Sequence, residues 1–212
     1  MFTGIIEEIG TIIDVIPIGT GKHLRIYASA SSQELKIHDS VSVNGVCLTV
    51  VSRDAEEFEV DVVEETIKKT TLGSFAIGDH INIELPLRYH DRLHGHMVLG
   101  HVDTVGIITQ IERQVSSWLF SIELPPQYMK YIIPVGSIAV DGVSLTIAYE
   151  ENNIIRISII PHTWENTIYK FYDIGDKVNL EFDIIGKYVE RMLLRNNGKL
   201  SFSEQELREL GY

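Results

Sequence analysis

One eight-residue pattern occurs twice in this chain and constrains its fold more than any other feature. Residues 43–50 read VNGVCLTV, and residues 140–147 read VDGVSLTI. The Asn-Gly and Asp-Gly dipeptides accept the positive φ angles of tight turns, and the residues after them favour extended backbone. Each copy therefore predicts a tight turn that leads into a β-strand, and the strands that contain the two copies are predicted at residues 40–52 and 137–149. The two copies differ most clearly at one equivalent position, where Cys47 stands in one and Ser144 in the other.

The spacing of 97 residues also relates residues 61–85 to residues 158–182. Seven of these 25 positions are identical, against about one in twenty expected by chance. Nearer the start the spacing is 96, which pairs Gly4 with Gly100, and a one-residue loop insertion explains the difference. The sequence therefore predicts an internal duplication. Each half has about 90 to 100 residues, enough to bury its own core.

Each half is predicted to form six short antiparallel strands. Residues 5–18 are rich in β-branched side chains, which favours a strand over the amphipathic helix that the isoleucine spacing would also allow. The equivalent opening strand of the second half is predicted at residues 98–110. Turn signals recur along each half, and closure into a barrel removes the exposed edges of so short a sheet. The prediction is an all-β fold of two tandem, homologous six-stranded antiparallel β-barrels with a C-terminal α-helix. The predicted domains are residues 1–96, residues 97–186 and a helical tail at residues 187–212.

The tail has no counterpart in the repeat. Lys187 to Arg195 carries apolar residues at helical spacing, and Asn196 to Gly198 should end that helix. A second helix is predicted from Ser203 to Leu210, because Ser203 and Glu206 form a capping box. An apolar helical stripe needs a surface to cover it. Either other subunits or the chain's own barrel can supply that surface.

Composition excludes several classes of partner. The net charge is −12, and the lysines and arginines are scattered, so nucleic acid has no electrostatic footprint here. No run approaches the roughly 20 apolar residues of a membrane-spanning helix. The single cysteine forbids an internal disulfide, and the first residues lack the pattern of a signal peptide. We therefore expect a soluble, cytoplasmic protein.

Four histidines invite a metal-site interpretation, because imidazole is the commonest transition-metal ligand. They are His90, His94, His96 and His101. No carboxylate or thiol completes a recognisable ligand set, and the spacing of His96 and His101 sends them to opposite faces of a regular strand. The sequence therefore predicts no metal, and each histidine taken singly is more simply a surface or structural residue.

Small polar side chains alternate on the two repeated strands. Cys47 and Thr49 share one strand face, and so do Ser144 and Thr146. Cys47 lies between two apolar residues, so a buried thiol that acts as a small hydrophobe is one interpretation. The other is a ligand site that recurs once in each barrel.

These motifs together resemble riboflavin synthase of the α-chain type. The resemblance runs from Met1 to about Leu194 and rests on segments that are specific in combination. They are residues 1–7 (MFTGIIE), 43–49, Glu65-Thr66 with Thr70, Leu72-Gly73, Gly95-His96, 100–103 (GHVD) and 141–146.

The resemblance implies a transferase that acts at the final step of riboflavin biosynthesis. Members of the family dismutate two molecules of 6,7-dimethyl-8-ribityllumazine by moving a four-carbon unit, which gives riboflavin and 5-amino-6-ribitylaminouracil. They use no metal or organic cofactor. They are commonly homotrimers, with each active site between the N-terminal barrel of one subunit and the C-terminal barrel of another. Lumazine synthase is a candidate protein partner.

The resemblance also carries site residues over to this chain. His101 is the candidate for proton transfer or its orientation, and Cys47 and Ser40 match positions associated with activity. Ser40 can equally be a solvated strand-entry residue. The substrate contacts assigned to the first barrel are Gly4, Ile5, Ile6, Cys47, Leu48, Thr49, Asp61, Val62, Val63, Glu64, Glu65 and Thr66. Those assigned to the second barrel are Gly100, His101, Val102, Ser144, Leu145, Thr146, Ile159, Ile160, Pro161, His162, Thr163 and Trp164.

Two departures and one alternative accompany the resemblance. The family usually has a ligand-contacting lysine where this chain has Val135, so the resemblance does not establish that polar contact here. Many members have Gly-Gly where this chain has His94-Gly95. The alternative function is that of the non-catalytic, fluorescent lumazine- or flavin-binding proteins, which depart from the Cys-Leu-Thr and Gly-His patterns that are intact here.

Overall fold

The computed structural model describes residues 1–195. Within this range the chain forms two closed, six-stranded antiparallel barrels followed by a helix, so the predicted fold class is confirmed. The predicted helix stop at Asn196 to Gly198 and the second tail helix from Ser203 to Leu210 lie outside the described residues.

The first barrel contains six strands, two short helices and a 3₁₀ turn at Thr71–Ser74. Its strands close in the order β1-β2-β5-β4-β3-β6. Leucine, isoleucine and valine side chains that alternate along the strands fill its interior. The elements are β1 (Glu8–Ile18), β2 (Gly21–Tyr27), α1 (Ser29–Glu34), β3 (Ser40–Val43), β4 (Val46–Arg53), β5 (Glu57–Val62), α2 (Glu64–Lys69) and β6 (His80–Glu84).

The second barrel repeats this architecture with its own separate core. Its strands close in the equivalent order, β7-β8-β11-β10-β9-β12. Two 3₁₀ turns, Pro126–Tyr131 and Ile168–Phe171, connect its strands. The elements are β7 (Thr104–Arg113), β8 (Trp118–Glu123), β9 (Ser137–Val140), β10 (Val143–Glu151), β11 (Ile154–Ile159), α3 (Pro161–Glu165), β12 (Lys177–Phe182) and α4 (Ile184–Arg195).

Each repeated octamer forms a β-hairpin, whereas the sequence suggested one strand from Ser40 to Ser52 and another from Ser137 to Tyr149. Asn44 and Gly45 have φ angles of 44° and 75°, and Asp141 and Gly142 have 44° and 82°. Two consecutive positive φ angles characterise a tight hairpin turn, so the predicted turn is confirmed. The turn reverses the chain within the octamer, and two strands replace the predicted single strand.

The opening strands are shorter than predicted. The first begins at Glu8 rather than Ile5, and its equivalent begins at Thr104 rather than Val98. The residues before them cross to the other half of the molecule: Phe2 pairs with Val98 in an isolated antiparallel bridge, with N···O distances of 2.7 and 3.2 Å. These opening segments therefore join the barrels instead of extending them.

Two buried asparagines hold the barrels together. The side-chain amide of Asn82 donates to the carbonyl of Asp141 at 3.0 Å, and that of Asn179 donates to the carbonyl of Asn44 at 2.9 Å. At the same contact Gly45 and Gly142 pack so closely that a Cβ on Gly45 would lie 2.6 Å from the Gly142 nitrogen. The hairpin turns of the two repeats therefore contact each other, and the contacts are reciprocal, as a pseudo-twofold axis between the barrels would require.

Helix α4 confirms the first predicted tail helix and begins three residues earlier than predicted. Glu190 on α4 hydrogen-bonds to the side chains of Lys130 and Tyr131 on the second barrel. Met192 is 64 % exposed. The helix is thus attached to the barrel through Glu190, while several of its apolar side chains remain exposed. Among residues 1–195, no helix is long and apolar enough to cross a bilayer.

Candidate active site

The two repeated strands present their polar side chains on the outside of the barrels. Leu48 and Val50 point inward and are buried, so Cys47 and Thr49 between them point outward. Across the β3–β4 ladder, Ser40 lies opposite Thr49. On the second barrel Ser144 and Thr146 take the same positions as Cys47 and Thr49, with Ser137 opposite Thr146.

Two glycine loops cross from one half of the chain to the outer strand of the other. The amide of Cys47 donates to the carbonyl of Gly100 at 2.9 Å, and the amide of Ser144 donates to the carbonyl of Gly4 at 2.8 Å. Both glycines have φ near +80°. A Cβ on Gly100 would lie 2.5 Å from the Cβ of Cys47, and one on Gly4 would lie 2.5 Å from that of Ser144. Only glycine fits this approach and this backbone conformation.

This crossing corrects the grouping of the predicted substrate contacts. Residues 4–6 were assigned to the first barrel and residues 100–102 to the second, but each loop lies on the opposite barrel. Val102 packs against the core of the first barrel, and Ile6 packs against the core of the second. Sequence equivalence shows which residues correspond, whereas the crossing depends on contacts between distant segments.

We call the two resulting surfaces the first-barrel face and the second-barrel face. The first-barrel face comprises Ser40, residues 47–49, 61–66 and 100–102, although the side chains of Leu48 and Val62 belong to the core of the barrel. The second-barrel face comprises residues 4–6, 144–146 and 159–164, although the side chain of Ile159 belongs to the core. On the first barrel the β4–β5 ladder ends at Val50 opposite Val60, and on the second the β10–β11 ladder ends at Ile147 opposite Ile157. Within residues 1–195, these ladders therefore do not pair residues 47–49 with residues 61–66, or residues 144–146 with residues 159–164.

The candidate catalytic residues Cys47, Ser40 and His101 all fall on the first-barrel face. Cys47 and Ser40 are half-buried, while His101 is exposed and directly follows the glycine that contacts Cys47. The structure therefore brings the loop that carries His101 to the hairpin that carries Ser40 and Cys47, although the loop lies more than 50 residues further along the chain. Their chemical roles stay predictions.

Two buried carboxylates hold the glycine loops, and the sequence analysis did not assign them to the site. Glu84 accepts hydrogen bonds from the amides of Thr3 and Gly4. Glu181 accepts equivalent bonds from the amides of Leu99, Gly100 and His101 at 2.7 to 3.0 Å. Burial raises the pKa of both carboxyl groups. Glutamate stands at both of these equivalent positions of the repeat. This match could have indicated a shared role, because two equivalent loops need equivalent groups to accept hydrogen bonds from their amides.

His96 is a further residue whose position at the site the sequence did not reveal. It is only 9 % exposed, and its Nδ1 lies 2.7 Å from the Oγ of Ser144. Its Nε2 has no hydrogen-bond partner among residues 1–195. Burial lowers the pKa of the imidazole, which favours its neutral form. No spacing rule links His96 to Ser144, because the contact depends on the course of the interbarrel linker.

Aromatic packing distinguishes the second-barrel face. Trp164 stacks on Trp118 with ring centroids 4.5 Å apart and an angle of 4° between the planes. It also meets Phe120 edge to face. These are the only two tryptophans in the chain. Tryptophan emission therefore reports on this end of the second barrel.

A cleft of about 760 Å³ lies between the second barrel and α4. Its lining includes Ser137, Asp183 and Lys130. Val135, which stands where the resembling family has lysine, is 78 % exposed and has a φ of +63°. The equivalent residue of the first barrel, His38, also has a positive φ. The positive φ therefore occurs at this position in both repeats, and it does not arise because valine stands there instead of lysine.

Comparison with known proteins identifies the family. The sequence profile of the lumazine binding domain matches residues 3–86 and 99–183, once for each barrel. Over 215 residues, which is all of both chains, the sequence is 40 % identical to riboflavin synthase of Actinobacillus pleuropneumoniae. The chain belongs to the riboflavin synthase family. It is also 42 % identical to the Bacillus subtilis riboflavin synthase, with 93 % of this chain and 92 % of that protein covered.

Solved structures agree with the fold of this riboflavin synthase family member. LumP in complex with 6,7-dimethyl-8-(1'-D-ribityl) lumazine superposes with a TM-score of 0.78, covering 85 % of this chain and 98 % of LumP. LumP in complex with riboflavin gives a TM-score of 0.80. The sequence identity is 22 % in both comparisons, so the likeness concerns the fold.

Proposed function

We propose that this chain is a riboflavin synthase, which dismutates two molecules of 6,7-dimethyl-8-ribityllumazine to riboflavin and 5-amino-6-ribitylaminouracil. The observation that carries the proposal is the pair of matched outer faces, each made of a glycine loop from one repeat and a Cys/Ser-Leu-Thr strand from the other. Two copies of one substrate need two similar sites. We propose residues 1–96 and 97–186 as the two lumazine-binding barrels and residues 187–212 as the tail.

The proposed chemistry depends mainly on orientation. Holding two ring systems face to face can lower the barrier by about 7 to 11 kcal/mol. The remaining requirement is removal of a proton from the acidic 7-methyl group of one lumazine, for which a positioned base or a water is enough. His101 on the first-barrel face is our candidate for that transfer, with Cys47 and Ser40 as neighbouring contacts.

A homotrimer with active sites between subunits is the assembly that we propose. Support comes from α4, where Ile185, Tyr188, Val189 and Met192 are each at least half exposed. An apolar strip of this kind is typical of a surface that another subunit covers. The first-barrel face of one subunit would then meet the second-barrel face of its neighbour. A cytoplasmic location and association with lumazine synthase are further proposals that follow from the biosynthetic role.

The assembly proposal predicts that Met192→Glu dissociates the oligomer. The proposed oligomer would bury this carboxylate without a partner, so the subunits should sediment as monomers at micromolar concentration. Arg191→Ala, at an exposed neighbouring position, is the control and should leave the sedimentation coefficient unchanged. An unaltered oligomer in Met192→Glu would remove α4 from the interface.

Incubation of the purified chain with 6,7-dimethyl-8-ribityllumazine alone tests the activity. We expect riboflavin fluorescence to grow with one riboflavin formed for every two lumazines consumed. Loss of a general acid or base typically costs a factor of about 10² to 10⁴, and His101→Gln should slow turnover within that range. Cys47→Ser retains a small polar group and should reduce turnover less. If lumazine stays bound without conversion, the chain is a binding protein of the LumP kind.

A further inference from the structure

We propose that His96 is a positioning residue that fixes the hydroxyl of Ser144 as a hydrogen-bond donor toward the substrate on the second-barrel face. The proposal rests on the proposed function, since it takes Ser144 as a substrate contact. It assigns the two faces different polar chemistry, although their backbones match. The ligand group that it implies is a hydrogen-bond acceptor of the lumazine ring system, a carbonyl oxygen or a ring nitrogen.

The linker between the barrels carries His96 into this position. Residue 95 is a glycine because a Cβ there would overlap the carbonyl oxygen of Thr3 and lie 2.9 Å from the Oγ of Ser144. The His96 amide in turn donates to the Thr3 carbonyl at 3.2 Å. The linker backbone is thus held against the second-barrel face, and the imidazole is buried beside Ser144.

The hydrogen bonds around His96 indicate which nitrogen of its imidazole carries the proton. A neutral imidazole has one N–H donor and one acceptor nitrogen, and a buried N–H without a partner is costly. Nε2 is buried without a partner among the described residues, whereas Nδ1 faces the Ser144 oxygen at 2.7 Å. The proton therefore belongs on Nδ1, which donates to Oγ. Because Oγ already accepts that bond, the Ser144 O–H is left to donate to a ligand.

The first-barrel face lacks this arrangement. Cys47 stands at the position of Ser144, with the same backbone bond to a crossing glycine loop. Within residues 1–195, no imidazole is hydrogen-bonded to the Cys47 sulfur. A thiol is a weak donor. The second-barrel face consequently offers an oriented O–H where the first offers only an S–H, so two identical lumazines meet different environments.

Ligand binding to His96 variants tests the proposal. Asparagine places an amide N–H near the Nδ1 position, whereas glutamine places its amide near Nε2. Riboflavin is the probe, because it binds as product without a reaction partner, and quenching of Trp118 and Trp164 emission reports its arrival at the second barrel. We expect His96→Gln to weaken this binding about tenfold and His96→Asn to restore it to within about threefold of the wild type.

Steady-state kinetics supply the second readout. His96→Gln should raise KM for lumazine while kcat changes by less than about threefold, since the hydroxyl positions substrate without taking part in proton transfer. His94→Gln, on the exposed linker, is the control and should match the wild type. Equal weakening in the Asn and Gln variants would mean that the imidazole serves packing, and unchanged binding in both would remove it from the site. Absence of turnover in the wild type would refute the proposed function but leave the riboflavin titration readable.

Discussion

Gly100→Ala is expected to destabilise the fold and to abolish most riboflavin formation. Alanine at a φ of +78° costs about 1 to 2 kcal/mol. Its Cβ would also lie 2.5 Å from that of Cys47, an overlap that adds about 1 to 3 kcal/mol. The total should be about 3 kcal/mol, measured by urea denaturation. The displaced loop carries His101, and a misplacement of about 1 Å can lower kcat about 100-fold.

Two matched variants separate overlap from backbone strain. Gly19 has a φ of +59°, and no atom lies within 4 Å of the position that a Cβ would take there. Gly19→Ala should therefore lose only the free energy that the positive φ costs alanine, about 1 kcal/mol, and should keep full activity. Gly4→Ala repeats the overlap at Ser144 and should damage the second-barrel face to a similar degree. If Gly100→Ala behaves like Gly19→Ala, the loop does not need its close contact with Cys47.

Asp141→Asn is expected to stabilise the protein strongly at alkaline pH. Asp141 is fully buried in the hairpin turn where the barrels meet, and its carboxylate accepts hydrogen bonds from the backbone amide of Asn179 and from the Tyr172 hydroxyl. Burial raises the pKa of its carboxyl group from 3.8 to about 7. This difference corresponds to up to about 4 kcal/mol of unfolding free energy. The equivalent residue of the first barrel is already an asparagine, Asn44.

The pH dependence follows from the raised pKa. Below pH 4 both the folded and the unfolded chain carry the proton, so Asp141 costs nothing there. Between pH 4 and pH 7 only the unfolded chain releases it, and the wild type loses stability relative to Asp141→Asn as the pH rises. Above pH 7 the difference in unfolding free energy between Asp141→Asn and the wild type is constant. Denaturation at pH 4, 6 and 8 measures this difference, and a difference that does not change with pH would contradict the raised pKa of Asp141.

The first barrel supplies the reciprocal control. Asn44→Asp places a carboxyl group in the equivalent turn, where Phe75 stands in place of Tyr172 and offers no hydroxyl. This variant should lose stability progressively as the pH rises above about 4. The total loss should exceed what Asp141 costs the wild type, because one hydrogen bond to the carboxylate is missing. Equal pH profiles for Asn44→Asp and the wild type would show that burial at this turn does not control the titration.

The repeat in the sequence was sufficient to predict the barrels. Hairpin turns at Asn44-Gly45 and Asp141-Gly142 have a local cause, since few dipeptides accept two positive φ angles in succession. Alternation of Leu48 and Val50 with polar neighbours likewise predicts which side of the strand faces the core. These features depend on residues that are close together in the chain, so the sequence alone is enough to predict them.

The composition of each face could not be predicted in the same way. The contact of Gly100 with Cys47 joins residues 53 positions apart, and equivalence within a repeat does not show that loops exchange barrels. The burial of His96 and Asp141 also follows from how the two barrels pack. A histidine in a polar linker and an aspartate in a turn are usually exposed. Only the tertiary arrangement shows that His96 lies at the site and that Asp141 is buried where the barrels meet.

Counting the lumazine bound before turnover is the most direct test of the two-face account. Rapid mixing of the chain with a small excess of 6,7-dimethyl-8-ribityllumazine, followed within milliseconds by measurement of the free lumazine, gives the number held by each chain. The account predicts two lumazines per chain, one on each face, with riboflavin appearing afterwards. A count of one per chain, with no second binding event as the lumazine concentration is raised, would contradict it.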